Sequence, residues 1–433
     1  MKNIFQTILI FIFIITLSYQ GSAQPGFLDP TFGNNGIVIE KRVGGTSGLA
    51  ILPDEKILIA GSGENFYLDR FNPDGSNDAS FGIDGRVNIN LDDKYAVCYS
   101  MAIQQDGKII LVGAMDAAIS AYTDLAIVRC KTDGSLDSSF GINGYVTFNF
   151  KNFDYAYDVA IQSDNKIVVI GDNSNSLAQN NDSYILRLNT DGSLDQSFGV
   201  NGITKTHYAS SSTNVKVIVQ PDGKLIMGGT YAKKGLKPDY MVQRFNIDGT
   251  VDNSFGENGT AKFKFGEGQA SGWLNELFDI ALQPDGKIVC AGEAGLDLVS
   301  MAMCRFNADG SMDNSFGDNG GKILDYNNHW STLISIFIQP DNKFLATGFG
   351  RDYFPASPIL VLRIEKNGIL DSAFGVDGIQ ATYFNQSSSG EEIQLLVNQK
   401  ILVAGEIGGF KTFLARYNGD NVLASNFKEV KAI

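Results

Sequence analysis

The chain contains few of the residues on which active sites and metal sites most often depend. Its 433 residues include only two histidines, two tryptophans and four cysteines, and no nucleophile-elbow or zinc-binding motif. This shortage argues against a Ser-His-Asp triad and against a multi-histidine metal centre. Only 10 prolines are present and 43% of the residues are apolar, which is not the composition of a disordered chain. We therefore expect a fully folded protein with no cofactor.

An excess of acidic over basic residues gives the chain a formal net charge of −14. This charge argues against nucleic acid and anionic membranes as partners. The cysteines Cys98, Cys130, Cys290 and Cys304 lie in apolar strand patterns without metal-ligand spacing, and we expect them to be buried. Because Cys290 and Cys304 fall on neighbouring predicted strands, the question of a disulfide between them stays open.

The amino-terminal residues have the pattern of a secretory signal peptide. Lys2 precedes a mostly apolar run from Ile4 to Leu17, and small residues follow up to Ala23. The run is too short to span a membrane. We interpret residues 1–23 as a signal peptide cleaved near Ala23, with a buried core helix as the alternative. The mature chain is predicted to be secreted, either periplasmic or extracellular, and not inserted in a membrane.

A repeat dominates the rest of the sequence. A Phe-Gly pair recurs seven times at intervals of 49 to 61 residues, with an Asp three residues before each Phe. The repeated phenylalanines are Phe32, Phe81, Phe140, Phe198, Phe255, Phe316 and Phe374. Each unit also carries a phrase such as PDGKI, which predicts a two-residue hairpin turn between apolar runs. An arginine recurs in a later strand, as Arg70, Arg129, Arg187, Arg244, Arg305, Arg363 and Arg416.

Every unit supplies four short strands without helical periodicity. Seven such units predict an all-β fold, a seven-bladed β-propeller with four antiparallel strands per blade. A β-sandwich or an open solenoid is the alternative. The first strand, at about residues 36–40, has no preceding partner, and the last, at about 413–418, has no follower. We predict that these two strands pair and close the ring, so that residues 24–427 form one propeller and residues 428–433 a tail.

The phrases PDGKI and RFNxDGSLDxSFG, at a period of roughly sixty residues, resemble the delta-60 repeat, a β-propeller repeat of secreted bacterial proteins. The resemblance covers nearly all of the mature chain. It implies a fold and brings no established catalytic residues to this sequence. The signal peptide, with Gln24 at the new amino end, is similar to that of exported proteins of Bacteroidetes-type bacteria.

The repeated polar residues have a structural and a functional interpretation. Asp78, Asp137, Asp195 and their counterparts lie near other oxygen-bearing side chains, which faintly resembles a calcium loop. The distal bidentate Glu of such a loop is missing. We therefore interpret the aspartates as caps of their own turns, with calcium as the alternative, and expect the phenylalanines to fill the space between blades. The arginines and aspartates are candidates for ion pairs between blades.

The predicted strand order separates two faces of the ring. Turns between the first and second and between the third and fourth strands of a blade lie on one face, which we call the regular-turn face. The remaining connections lie on the other, which we call the variable-loop face, and binding residues normally lie on such loops. Our candidate ligand-binding residues there are His207, Tyr208, Trp273, Asn328, His329 and Trp330. The alternative is that they only pack their own loops.

Aromatic rings beside amides and carboxylates suit the recognition of a sugar or a peptide. We predict a secreted, monomeric binding or scaffold module that recognises a glycan or protein through the variable-loop face. The alternative is an extracellular carbohydrate-active hydrolase or lyase with carboxylates at the mouth of the ring axis. Glu276, Asp279 and Asp325 are candidate acids for it, although no spacing singles them out. A structural partner in a larger envelope assembly is the third hypothesis.

Overall fold

A computed structural model of the chain describes residues 24–116, 122–150, 153–174, 182–206, 214–231, 238–266, 274–295, 298–351 and 356–420. The predicted signal peptide and tail lie outside these ranges, as do the candidate residues His207, Tyr208 and Trp273. Within them, no helix has the length and apolar character needed to cross a membrane.

The described residues form 28 strands. In chain order these are β1 (Ile37–Val43), β2 (Gly45–Ile51), β3 (Ile57–Ser62), β4 (Phe66–Phe71), β5 (Arg86–Ile89), β6 (Ala96–Ile103), β7 (Ile109–Asp116), β8 (Thr123–Cys130), β9 (Tyr145–Phe148), β10 (Phe153–Ile161), β11 (Ile167–Ser174), β12 (Asp182–Leu188), β13 (Ile203–Thr206), β14 (Asn214–Val219), β15 (Leu225–Tyr231), β16 (Asp239–Phe245), β17 (Thr260–Phe263), β18 (Leu274–Leu282), β19 (Ile288–Gly295), β20 (Ser300–Phe306), β21 (Gly321–Leu324), β22 (Trp330–Ile338), β23 (Phe344–Arg351), β24 (Ile359–Ile364), β25 (Ile379–Thr382), β26 (Ser388–Leu395), β27 (Ile401–Ile407) and β28 (Lys411–Tyr417).

The strands form seven antiparallel sheets of four strands each. Blades 1 to 6 are the consecutive groups β2–β5, β6–β9, β10–β13, β14–β17, β18–β21 and β22–β25, and blade 7 contains β26, β27, β28 and β1. The first strands of neighbouring blades contact one another around a central axis. The fold is therefore a seven-bladed β-propeller, which confirms the prediction from the repeat.

The ring closes by pairing its two ends. In blade 7, β1 pairs with β28, so that Ile37 lies opposite Ala415 and Ile39 opposite Phe413. Arg416 Nε also lies 2.8 Å from Asp29 Oδ2, which joins the last strand to the segment before the first. The predicted closure is confirmed, and it leaves no blade without its fourth strand.

The hydrophobic core is divided into seven clusters, each shared by two adjacent blades. The repeated phenylalanines lie in them and are at most 1% exposed. Phe140, for example, packs with Ile110 of blade 2 and Ile167 of blade 3. Because burying one such side chain contributes about 2–3 kcal/mol, the repeat stabilises every blade-to-blade contact in the same way.

In each unit, the repeated lysine and arginine both contact the carboxylate of the repeated aspartate. In blade 3, Lys166 Nζ and Arg187 Nε lie 3.1 and 2.8 Å from Asp195 Oδ2. The amide and hydroxyl of Ser197 donate to Asp195 Oδ1 at 3.0 and 2.7 Å, which caps the turn. The Arg187 guanidinium carbon lies 4.6 Å from the centre of the Phe198 ring. We call such a Lys-Asp-Arg set a triad, and all seven blades contain one.

Most ion pairs of the triads therefore lie within a blade, and the expectation of ion pairs between blades needs correction. The bond to the next blade runs instead from the arginine to a backbone carbonyl, as from Arg187 to Ile247 of blade 4. Arg363 is different, because it pairs with Asp420 of blade 7 at 2.7 Å. A turn carbonyl is available in every blade, whereas a second acidic side chain is not.

The turn between the first and second strands of a blade has three residues, so the prediction of a two-residue turn was wrong. In blade 2, Gln104 N donates to Lys108 O at 2.8 Å and Gly107 N donates to Gln104 O at 2.9 Å. Gly107 has a φ of 80°, so a type I turn is followed by a left-handed residue. Glycine or another residue with positive φ takes this position in each blade.

All four cysteines are buried and free. Cys290 on β19 lies directly opposite Cys304 on β20. The two thiols are thus cross-strand neighbours in the core of blade 5 without a disulfide between them.

Candidate ligand-binding site at the ring axis

Each of the seven innermost strands contains one β-bulge at the equivalent position. Bulges redirect side chains and are frequent beside binding sites. The bulged residue and its successor are Ser47 and Gly48, Tyr99 and Ser100, Tyr157 and Asp158, Val215 and Lys216, Phe278 and Asp279, Ile334 and Ser335, and Glu391 and Glu392. Bulge residues of all seven blades line a cavity of about 220 Å³, which we call the axial cavity.

Two aspartates in the wall of the axial cavity form hydrogen bonds with neighbouring blades. Asp158 accepts hydrogen bonds from the Ser100 hydroxyl of blade 2 at 2.6 Å and from Val217 N of blade 4 at 2.8 Å. Asp279 accepts one from Ile336 N of blade 6 at 2.8 Å. Both side chains are nearly fully buried. These carboxylates therefore hold the innermost strands together as well as giving the cavity its negative charge.

Lys216 and Glu392 also line the axial cavity. Asp158 Oδ1 lies 3.9 Å from Lys216 Nζ, which is too far for a hydrogen bond. The charge of Asp158, and then those of Asp279 and Glu392, raise the pKa of Lys216 and keep it cationic. Burial raises the pKa of Glu392 to about 7, against the opposing charge of Lys216. The cavity thus presents a cationic donor and a carboxyl that is readily protonated.

Tyrosines of blades 2 and 3 form a cluster beside this cavity. The rings of Tyr99 and Tyr157 lie 5.8 Å apart, and those of Tyr155 and Tyr157 are stacked at 6.0 Å. Tyr99 is 38% exposed, and the Tyr157 hydroxyl donates to Asp172 at 3.1 Å. Burial raises the pKa of Asp172 to about 7, although the hydrogen bond from Tyr157 opposes the rise. This side of the axis offers an aromatic surface with a hydrogen-bonding edge.

Trp330 begins the first strand of blade 6 and lines a second cavity of about 270 Å³, which we call the tryptophan cavity. It shares Phe278 and Ile334 with the axial cavity, so the two adjoin. Arg351 lies opposite Trp330 in register, with its guanidinium carbon 5.4 Å from the indole centre. The indole is 42% exposed. A flat apolar surface is therefore open to solvent next to the axis.

Further carboxyls line or adjoin these two cavities. Glu293 lines the tryptophan cavity and accepts a hydrogen bond from the Thr332 hydroxyl. Burial raises the pKa of Glu293, and Glu276, which lies opposite in register, adds to the rise. Burial also raises the pKa of Glu391 in the axial cavity. We use the name axial mouth for the two cavities together with these carboxyls.

The connection before Trp330 is a tight turn. Asn327 and Asn328 have φ values of 52° and 58°, and His329 N donates to Tyr326 O at 2.8 Å, as in a type I′ turn. Asn328 N donates to the Asp325 carboxylate at 3.1 Å. Asn328 and Asp325 therefore shape this turn, and His329 has its ring centre 6.3 Å from that of Tyr326.

The structure brings three sequence-selected residues together at the axial mouth: Trp330 from the ligand-binding candidates, and Asp279 and Glu276 from the candidate acids. His207, Tyr208 and Trp273 fall outside the described residues. Sequence reasoning missed Lys216 and Glu392. A signal for them exists, because the second bulge residue stands five positions before the first of the three turn residues in every blade, and a charged residue there interrupts an apolar strand.

Five segments of the chain match a family model described as a domain of unknown function (DUF5122) β-propeller. They are residues 52–81, 104–140, 162–198, 220–255 and 283–316. The chain is thus similar to a β-propeller repeat family, and the matched description names a fold without an activity. The delta-60 name stays a resemblance. No curated protein matches the sequence.

Several solved structures are similar to this chain at low sequence identity and with TM-scores below 0.5. A protein of unknown function from Dyadobacter fermentans is 11% identical with a TM-score of 0.47, over 76% of this chain and 96% of that one. An ulvan lyase of a polysaccharide lyase family is 12% identical with a TM-score of 0.45, over 92% and 95%. The extracellular domains of Drosophila Semaphorin 1a are 8% identical with a TM-score of 0.46, over 88% and 87%. These likenesses describe the fold alone.

Proposed function

We propose that this propeller is a secreted binding module that recognises a glycan at its axial mouth. The observation that carries the proposal is the exposed Trp330 indole beside a cavity lined by Lys216 and Glu392. Aromatic rings stack on the apolar faces of sugars, and a few fixed polar groups set their orientation. Export is supported by the amino-terminal sequence pattern.

A glycan is favoured over a protein partner by the shape of this site. The aromatic side chains lie around cavities of about 220 and 270 Å³, whereas protein partners usually need a broad interface of about 800 Å² on each side. The tyrosine cluster lies on blades 2 and 3 and Trp330 lies on blade 6, so a ligand at the axis meets aromatic rings from two directions.

The test is a glycan array on the mature chain, followed by calorimetric titration of the best ligand. We expect Trp330→Ala to weaken binding at least tenfold, because stacking on a sugar and the burial of the indole are both lost. Val397→Ala is the matched control, since Val397 is 74% exposed on the regular-turn face. A wild-type protein that binds no glycan, or a ligand held equally well by Trp330→Ala, would contradict the proposal.

A carbohydrate-active hydrolase or lyase is the second candidate. It is favoured by Glu392, because general acids and bases work best with a pKa near the operating pH and that of Glu392 is raised to about 7. Incubation with a panel of polysaccharides separates the two functions. A binding module leaves the polymers intact. If the wild-type protein cleaves a polysaccharide and Glu392→Gln abolishes that cleavage, the protein is an enzyme and the binding-module proposal is wrong.

A further inference from the structure

We infer that the axial cavity is the subsite for the end of a glycan chain, with Lys216 and Glu392 as polar anchors for the terminal sugar. This inference rests on the proposed function and specifies it: the protein recognises chain ends and not internal segments.

The size and position of the axial cavity limit what enters it. Its volume of about 220 Å³ is below the roughly 300–1,000 Å³ of pockets that hold drug-sized ligands, which favours a single sugar unit over a longer segment. Its wall is formed by bulge residues of all seven innermost strands, joined across blades by Asp158 and Asp279. Because strands of all seven blades surround this space, an internal sugar unit would have to bring chain on both of its sides into it, whereas a terminal unit brings chain on one side.

The polar groups of the cavity are those that a sugar hydroxyl needs. Lys216 offers N–H donors, and its nearest carboxylate contact within 4.0 Å among the described residues is Asp158 at 3.9 Å. Glu392 offers acceptor oxygens and forms no ion pair with Lys216 within that limit in the described part of the chain. Because a hydroxyl donates and accepts at once, one sugar unit satisfies both groups together.

Lys216 places a positive charge among the carboxyl groups of the axial cavity. Its side chain is 35% exposed and lines the cavity, so the ammonium group is accessible there. Among the described residues, no group of three or more His, Cys, Asp or Glu side chains is placed to hold a metal ion. A neutral hydroxylated ring forms hydrogen bonds with Lys216 and Glu392 without adding a charge to the cavity.

The neighbouring tryptophan cavity can hold the second sugar unit of the chain. It adjoins the axial cavity through Phe278 and Ile334. A chain whose terminal ring lies on the axis therefore continues across the exposed indole of Trp330 towards solvent. The two cavities form consecutive subsites, a polar one for the end and an aromatic one for the next unit.

The experiment measures how Lys216→Met and Glu392→Gln change the affinity for the best oligosaccharide of the array. We expect Lys216→Met to weaken binding at least tenfold, since it removes the hydrogen bonds that the ammonium group donates. Glu392→Gln should weaken binding by more than twofold but less than this, since the amide keeps one acceptor oxygen and loses the carboxylate charge. Lys41→Met is the matched control, because Lys41 is exposed on the outer strand β1. A second measurement needs no variant: the methyl glycoside of the terminal sugar should compete with the oligosaccharide, and methylating the terminal hydroxyls of the oligosaccharide should abolish its binding.

The possible results separate this inference from the proposed function. Affinity that depends on Trp330 but stays within twofold in Lys216→Met and Glu392→Gln would overturn the chain-end inference alone. Equal binding of the end-methylated oligosaccharide would do the same. A wild-type protein that binds no glycan overturns both.

Discussion

The two faces of the propeller use carboxyl groups in opposite ways. On the regular-turn face, hydrogen bonds from Lys56 and Ser80 hold the pKa of Asp78 well below its usual value, against the effect of burial. On the variable-loop side, burial raises the pKa of Glu392 in the axial mouth, and of Asp172 beside the tyrosine cluster, to about 7. The first arrangement recurs in every blade, whereas the second occurs at particular blades.

This difference separates the fold from the site. A side chain that recurs in all seven units meets the same neighbours in each, so it stabilises the blade and its contact with the next. A side chain that departs from the repeat inside an apolar strand weakens the packing there, and such departures concentrate at functional sites. The residue at the second bulge position changes from blade to blade and includes Lys216 and Glu392, whereas Asp78 has an aspartate counterpart in all seven units.

The largest effect is expected from breaking a triad. Asp195→Ala leaves the buried Arg187 without its carboxylate partner, which costs about 3–5 kcal/mol in the free energy of unfolding. Chemical denaturation at neutral pH measures it. Asp191→Ala is the control in the same repeat, because Asp191 is exposed and only caps Ser193.

The pH dependence of the same variant sharpens this comparison. The pKa of Asp195 is lowered in the folded state, with the hydrogen bonds from Ser197 and Lys166 outweighing burial. Its contribution is therefore complete above the ordinary pKa of 3.8 and is lost as the pH falls below it. We expect the difference between wild type and Asp195→Ala to shrink below pH 4. A difference that stays constant there would mean that the triad stabilises by packing and not by charge.

Most of the fold was predictable from the sequence, because each repeated element has a local cause. The spacing of Phe140 and its counterparts fixed the blade count, and the unpaired strands at about 36–40 and 413–418 indicated the closure. The three-residue turn was missed because Gly107 takes a left-handed position that the letters PDG and QDG do not distinguish from a two-residue turn.

The site was less predictable, because it depends on where seven distant strands meet. Trp330 stood out as a rare residue, but Lys216 and Glu392 are common residue types that lie far apart in sequence. Only the ring places them in one cavity. Once the bulge position is known, its constant distance from the turn identifies these residues in the sequence alone.

An effect of the opposite sign is expected at Asp172, which accepts the hydrogen bond from Tyr157 beside the axial cavity. Asp172 is 4% exposed, and its pKa is raised from 3.8 to about 7. The wild-type protein therefore loses stability as the pH rises through this window, because the unfolded chain ionises first. Asp172→Asn removes that cost and should stabilise the protein by up to about 4 kcal/mol at pH 8. Thermal unfolding at pH 4 is the control, where the gain should nearly vanish. Destabilisation at pH 8 would contradict the contrast between the two faces.

The smallest effect is expected at Asn328, which we predict to stabilise its turn and not to bind the ligand, although it lies beside Trp330. Asn328 has a φ of 58° in the turn before Trp330, a conformation that costs a residue such as alanine about 1 kcal/mol. Asn328→Ala should therefore lower the free energy of unfolding by about 1 kcal/mol, while Asn328→Gly should leave it unchanged. Because we expect the Asn328 side-chain amide to make no contact with the ligand, both variants should bind the array ligand as wild type does. If both variants are equally stable and both lose binding, Asn328 contacts the ligand and its role in the turn is not what matters.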